Sequence, residues 1–450
     1  MSTDRPPFPG IGRSTIVMAG LFGLAAVTFL VGPIQWAAGN VREGFPGYLT
    51  ASRLAVDGRW SPAVYDDTRF ARETLAVTGG RVGEIYRPNP PVMSLVMVPI
   101  AKLDLMTARR AWLALGVVLV VVTWLLLIAA IPALRAPPLA LGLLALALAW
   151  VPLRTDLLMG QVYVPLLALH AVALLAVGSR RARGHLVAGV ALGAAAVAKL
   201  AAIPWLVVLL VRGERRTVVA AIATAASLAA LTLGFAGREG WSAFATTAWH
   251  DLTADRPSLA VTAYQSTAGL LRHLLATDAT WNPGGLTNLP LAARGIGVAV
   301  SAWVIVVTIL VARRARADLV AAFAVTGSVL ALNVAQEYTY TLLLVPAAVA
   351  LGRCAAATRL RPGWTGWLAI AIALIAAPLP YRDAAFDDGW LALLAYPRLY
   401  GAWLLWAWIA HEIVIEAAEA DIAAGAAVAA DAATEAAVDA DRQRATADTR

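Results

Sequence analysis

Residues 14–38 read STIVMAGLFGLAAVTFLVGPIQWAA, a run of 25 positions without a charged side chain. About 20 apolar residues in a helix suffice to cross the hydrocarbon core of a bilayer, so this run is long enough to span it. It is too long for the apolar part of a signal peptide, and no small-residue cleavage pattern closes it. That predicts an uncleaved first span. The polar, Pro-rich residues 1–13 before it are expected on the cytoplasmic side.

The pattern recurs along the chain. Uncharged runs follow at about 111–131, 138–153, 161–178, 186–198, 203–211, 217–235, 294–312, 319–333, 338–352, 365–380 and 390–411. Hydrophobic residues are 60% of the 450 positions and charged residues 14%, with a mean hydropathy of +0.71. Soluble domains sit near 45–50% and 25%, so several soluble domains are excluded. The apolar content caps the number of spans at about 13. The expected fold is all-α: a polytopic integral membrane protein of about 10–12 transmembrane helices, with short interfacial helices in its outer loops. The single cysteine, Cys354, excludes a disulfide framework.

Arginine clusters at Arg109-Arg110, Arg180-Arg181-Arg183, Arg212 with Arg215-Arg216, Arg313-Arg314-Arg316, and Arg353 with Arg359 and Arg361 interrupt the runs. The positive-inside rule puts these in the cytoplasm and leaves 39–89, 236–293 and 381–389 outside. The expected organisation is a transmembrane domain over 14–415 with outer loops 39–89 and 236–293. An acidic, alanine-rich cytoplasmic tail, 416–450, is expected to lack fixed structure. Three runs lie between Arg109-Arg110 and Arg180-Arg181, where an even number is needed, so one, 138–153, is expected to be re-entrant or too short to span. Runs 186–198 and 203–211 read as half-helices around Lys199 and Pro204. Interrupted helices are tolerated only where they line an enclosed cavity, which points to a site on the outer side.

The net charge of +8 divides unevenly. The tail holds 8 acids and 3 arginines, so 1–415 carries 33 bases and 20 acids, a net +13. The two long outer loops balance at 10 acids and 10 arginines. The excess therefore belongs to the cytoplasmic face and its anionic lipids, not to a nucleic-acid partner. No Walker A loop and no Gly-x-Gly-x-x-Gly unit between strand and helix is present, which argues against an ATP-driven pump or a Rossmann-type enzyme. His170, His185, His250, His273 and His411 show no metal-ligand spacing, so neither a metal nor a cofactor is expected.

The first outer loop carries six acids, Glu43, Asp57, Asp66, Asp67, Glu73 and Glu84. Within it, Tyr48, Ala51, Ala55 and Val56 share one face at helical spacing. An ordered set of segments follows. Gly44-Phe45-Pro46-Gly47-Tyr48-Leu49-Thr50-Ala51 opens it, then Val64-Tyr65-Asp66, then Tyr86 through Pro91. Gly160-Gln161-Val162, Ala198-Lys199-Leu200 with Pro204, and Tyr264-Gln265-Ser266 complete it. This order resembles glycosyltransferase family 87 of the GT-C superfamily, the polyprenol-phosphate-mannose-dependent mannosyltransferases and their relatives, over roughly residues 14–350.

The resemblance implies a hexosyltransferase moving a sugar, mannose above all, from a polyprenyl-phosphate donor. The acceptor would be a cell-envelope glycolipid or glycan on the outer face of the cell membrane. Arabinose donors also fit the family. Such a transfer needs a carboxylate to take the acceptor proton and cationic or amide donors to meet the departing phosphate. The family's aspartate aligns with Gly44, which leaves Glu43 as the expected base, with Asp57, Asp66 and Asp67 behind it. Lys199, Arg154 and Gln161 are the expected phosphate contacts; an ionisable group at membrane depth is costly and usually functional. Tyr48, Tyr264, Gln265, Gln336 and Glu337 are the expected sugar or acceptor contacts. The family's Ser-Pro-x-x-Trp-x-His-type segment is replaced by residues 333–340, which hold no histidine. Two other readings fit parts of the pattern: a catalytically inactive relative serving as scaffold or glycan-binding subunit, and a lipid or sugar transporter.

Overall fold

A computed structural model describes residues 12–87, 89–179, 181–254, 256–357, 362–387 and 389–447. The helices are α1 (Arg13–Gly39), α2 (Phe45–Val56), α3 (Asp67–Thr78), α4 (Leu105–Ala130), α5 (Pro137–Ala149), α6 (Val151–Met159), α7 (Tyr163–Gly178) and α8 (Ala182–Ala198). They continue with α9 (Ile203–Val211), α10 (Arg215–Thr253), α11 (Thr267–Leu275), α12 (Pro290–Ala312), α13 (Ala317–Leu330), α14 (Leu344–Ala356), α15 (Pro362–Ala376) and α16 (Pro397–Ala447). Among the described residues there is no strand, only isolated bridges at Tyr264–Gln336 and Asp278–Asn282.

The chain is an all-α polytopic membrane protein. Five helical segments are long and apolar enough to cross a bilayer alone: α1, α4, α10, α12 and Glu337–Ala356, which contains α14. α5 and α6, bent by 51° at Trp150, have the length and composition of one broken span or a re-entrant loop, and shorter apolar helices, including α7, α8 and α13, stand between these. Each break has a local cause. Pro33 sits in a π-helical turn of α1, Trp150 leaves the helical region (ψ 103°) just before Pro152, and Gly237 (φ +61°) kinks α10. Large apolar side chains such as Leu24, Val31 and Leu231 are more than 60% exposed, as lipid-facing positions are.

The parity problem resolves at a place other than the one expected. The apolar stretch after Asn89 is not a span. Pro91–Leu95 and Val98–Ile100 are short 3-10 turns, because Pro90, Pro91 and Pro99 remove donors a long helix needs. Arg109 therefore lies at the same end as the first loop, donating to the carbonyls of Leu157 (2.7 Å) and Leu158 (2.8 Å). Arg110 donates to Ala38 O at 3.1 Å. The other clusters gather at the opposite end. Arg212 donates to Ala315 O at 2.6 Å and Arg313 O at 3.1 Å, and Arg353 pairs with Glu416. Residues 138–153 fall in the bent α5–α6 pair, whose 51° break is that of a broken span or a re-entrant loop.

The N-terminal segment 1–13 lies almost wholly outside the described residues. The acidic tail is helical to Ala447 as a continuation of α16, where no fixed structure was expected. Alanine has the highest helix propensity, and a tail of this composition extends a helix already nucleated.

α8 and α10 pack closely through Gly189 and Gly193, spaced four apart. A Cβ on Gly189 would lie 2.5 Å from Ala220 Cβ, and one on Gly193 would meet Ala221 O and lie 2.8 Å from Ala221 Cα. Small residues at this spacing let helix backbones approach. Gly193→Val is expected to destabilise the protein by about 1–3 kcal/mol through forced separation. Gly20→Ala, where a Cβ would meet open space, should leave the melting temperature in detergent unchanged.

Candidate active site

The site is built on the turn that enters α2. Gly44 caps that helix at φ +106°, a backbone region that costs side-chain-bearing residues dearly and glycine nothing. Its N–H donates to the Glu84 carboxylate. A Cβ at Gly44 would meet Gln161 Nε2 and lie 2.8 Å from Met159 O. One turn on, the Tyr48 hydroxyl donates to Gln161 Oε1 at 2.9 Å. Gln161 is presented by Gly160 (φ +64°), which ends α6 in the left-handed conformation. A Cβ at Gly47 would lie 2.9 Å from Glu84 Cγ. The two glycines thus let the end of the first loop and the α6–α7 turn close onto the start of α2.

Lys199 lies at the break between α8 and α9, where its own backbone is extended (φ −148°, ψ 133°). Its Nζ donates to Asn89 Oδ1 at 2.7 Å. Among the described residues no carboxylate forms an ion pair with it. Asn89 is held by its own Nδ2, which donates to Tyr86 O at 2.6 Å, and its carbonyl accepts from Tyr65 at 3.0 Å. Only residues 84–89 separate the glutamate on Gly44 from the asparagine on Lys199. Five residues reach at most about 18 Å between their Cα atoms, which bounds how far the backbone of Glu84 stands from that of Asn89.

A third wall comes from residues 333–340. Gln336 bridges to Tyr264 in antiparallel pairing, and Gln265 N donates to Ala335 O at 2.8 Å. The rings of Tyr163 and Tyr338 are 5.3 Å apart. Tyr48 is within electrostatic reach of Tyr338, Tyr163, Asp156 and Glu84. The expected residues Tyr48, Gln161, Tyr264 and Gln336 thus stand around one locality.

Others stand apart from it. Gln265 is fully buried, and its side chain is consumed by backbone: Nε2 donates to Thr262 O (2.8 Å) and Ala395 O (2.7 Å), and Oε1 accepts from Arg398 N (3.3 Å). Glu337 accepts from Thr155 (2.5 Å), Tyr381 (2.7 Å) and Arg398 (3.2 Å), which makes it an interior strut. Arg154 donates to Leu148 O (2.6 Å) and to Thr28 of α1 (3.1 Å).

The carboxylates sort in the same way. Asp57 is exposed at the C-terminus of α2. Asp66 caps α3 through Arg69 N. Asp67 pairs with Arg87 at 2.5 Å, and Arg87 and Arg256 reach Asp251 at 3.8 and 3.3 Å, which ties the 39–89 segment to the 236–293 segment. Asp156 is buried, accepting from the N–H groups of Tyr163 and Val164. Glu43 is exposed.

Glu84 was passed over in the sequence because no motif surrounds it. The one available signal was its position two residues before Tyr86, at the end of the loop. Burial pushes its carboxyl up from the usual glutamate range. The N–H groups of Gly44 and Ile85 offset part of that, and nearby Glu43 adds to it. Burial likewise raises the Tyr48 hydroxyl well above its ordinary value, so it stays neutral and a donor at all physiological pH.

Among families of known proteins, the model of glycosyltransferase family 87 matches residues 88–335, more than half of the chain. The match covers Asn89, Gln161, Lys199 and Tyr264 and begins after Glu43 and Glu84. No curated protein matches the chain, and no solved structure does.

Proposed function

The chain belongs to glycosyltransferase family 87, and on that premise we propose that it transfers a hexose, mannose by preference, from a polyprenyl-phosphate donor. The acceptor in this reading is a glycolipid or glycan of the cell envelope, and the reaction takes place on the outer face of the cell membrane. The observation that carries it is Lys199. A cation with no carboxylate partner among the described residues, at a helix break and donating to a neutral amide, is suited to a lipid phosphate. The bulk of the donor is isoprenoid, which the surrounding bilayer accommodates without any nucleotide-binding domain. Tyr48 and Gln161 supply uncharged donors and acceptors of the kind that fix sugar hydroxyls. Arg212, Arg313 and Arg353 stand at the opposite end, which agrees with an outward-facing site, although Arg109 and Arg110 lie at the site's own end.

In transfer, the acceptor oxygen bonds to the anomeric carbon as the bond from that carbon to the phosphate oxygen breaks. The electron pair leaves with the polyprenyl phosphate, whose charge Lys199 meets. The protein holds both substrates in line and supplies a carboxylate for the acceptor proton.

The test is the lipid-linked sugar that accumulates in cells lacking the protein. Polyprenyl-phosphate mannose is the expected species; an unchanged pool of every polyprenyl-phosphate sugar would overturn the reading. Lys199→Met is expected to raise KM for the donor at least about tenfold, the size of one lost charge-assisted contact. Lys199→Arg should recover part of that. An unchanged KM in the Met variant would remove Lys199 from the phosphate site.

A further inference from the structure

We propose that Glu84 is the general base of this transferase, the group that takes the proton from the attacking acceptor hydroxyl; the assignment rests on the donor reading above. Its first ground is the disposition of the other acids. Asp66 is committed to a helix cap, Asp67 to Arg87, Asp156 to two helix N–H groups, and Glu337 to Arg398, Tyr381 and Thr155. Asp57 and Glu43 are exposed.

The second ground is position. Glu84 is held by the N–H of Gly44, against the turn where a Cβ would touch Gln161 and beside Gly47. It is within electrostatic reach of both Tyr48 and Tyr338, so it shares the locality of the residues suited to the sugar. A glutamate from the far end of the loop therefore puts a carboxylate at the entry to α2, a turn whose own residue has no side chain. The helix N-terminus favours its charged form, and the second oxygen, which accepts only a long bond from Ile85 N at 3.4 Å, keeps a lone pair for a proton. Five residues further on, Asn89 accepts from Lys199 at 2.7 Å, so the base and the asparagine that holds the phosphate contact are carried on one short segment.

The step balances simply. The acceptor O–H proton passes to the Glu84 carboxylate as the acceptor oxygen bonds to the anomeric carbon. The sugar–phosphate bond breaks with its electron pair on the polyprenyl phosphate. The proton is later lost to water.

The experiment uses the full chain in proteoliposomes. The donors are labelled polyprenyl-phosphate mannose and, separately, polyprenyl-phosphate arabinose; the acceptor is the glycolipid fraction of cells lacking the protein. Glu84→Gln is expected to lower kcat at least about 100-fold, the lower range for loss of a general base. Donor retention by the vesicles should change less than about threefold. Glu84→Asp should regain part of the rate.

The pH profile separates a base from a structural group. Glu43, Tyr48, Tyr338 and the N–H groups of Gly44 and Ile85 surround the carboxyl. The wild-type rate should fall on acidification as Glu84 protonates, at a higher pH than an ordinary glutamate would give. That limb should vanish from the residual rate of Glu84→Gln. Glu73→Gln, whose side chain pairs with Arg59 on the surface, should retain full activity.

A wild-type protein that transfers from neither donor would overturn the donor reading and the assignment together. A wild-type protein that transfers, with Glu84→Gln equally active or with the acid limb kept, would overturn the assignment alone. A loss confined to Glu43→Gln would do the same.

Discussion

Replacing Arg398 with alanine is expected to produce the largest loss of stability of any single substitution in this protein, about 3–5 kcal/mol. That is the cost of leaving one partner of a buried ion pair without the other. Arg398 is completely buried. Its Nη2 meets Glu337 at 3.2 Å, and its Nη1 donates to Leu374 O at 3.0 Å and Ile375 O at 2.7 Å. Removing it strands a carboxylate and two carbonyls away from water. The same residue joins the start of α16 to the end of α15 and to residues 337–343, so the lost contacts would loosen three elements together. The double variant Glu337→Gln/Arg398→Met removes both charges. It should recover most of the loss, because desolvation of the pair offsets much of its attraction. Thermal unfolding in detergent micelles checks both. Equal instability in the single and double variants would mean that packing, not the charge, is what Arg398 contributes.

The second large effect is expected at Gly44. Gly44→Ala should lower transfer at least about 100-fold, as misplacement of a reacting group by an ångström can. It should also destabilise the turn by about 1–2 kcal/mol, since an L side chain at φ +106° is strained before any clash is counted. The added Cβ would meet Gln161 Nε2 and lie 2.8 Å from Met159 O. The α6–α7 turn would have to move, and the Tyr48–Gln161 bond with it. Gly44→Asp, which restores a carboxylate at that position, should be no more active than the alanine variant for the same reason. Transfer assays and melting on the two variants decide this. Activity in Gly44→Asp above that of Gly44→Ala would mean that the turn can yield and that a carboxylate at residue 44 can act.

The readable part of the site was its list of uncommon groups. A lysine within an alanine-rich run, a Gly-Gln pair after Asp156 and a tyrosine at the head of an amphipathic helix all stood out. Tyr48 and Gln161 do meet, and Lys199 is at a break. The unreadable part was which groups were already spent. Gln265 and Glu337 look like ligands in the sequence because polar side chains in apolar runs are rare. The structure commits them to backbone carbonyls and to Arg398, partners 133 and 61 residues away. Glu84 looked like one of six loop acids, and its contact with Gly44 spans 40 residues. Residues 90–100 are apolar yet form only short 3-10 turns, because hydropathy counts apolar atoms and not the backbone donors that Pro90, Pro91 and Pro99 lack.

The sequence by itself determined that this chain lives in a bilayer and that its described part is helical. Those properties follow from side-chain transfer free energies and charge, which are summed over local windows and need no knowledge of neighbours. Only the tertiary structure decided which carboxylate stands at the entry to α2 and which polar groups serve as interior struts. It also decided that the helix after the first outer loop starts on the same side as that loop. Those outcomes depend on left-handed glycines and missing Cβ atoms that allow two backbones to touch. A hydrogen bond between residues 40 or 113 apart leaves no periodic trace in the chain.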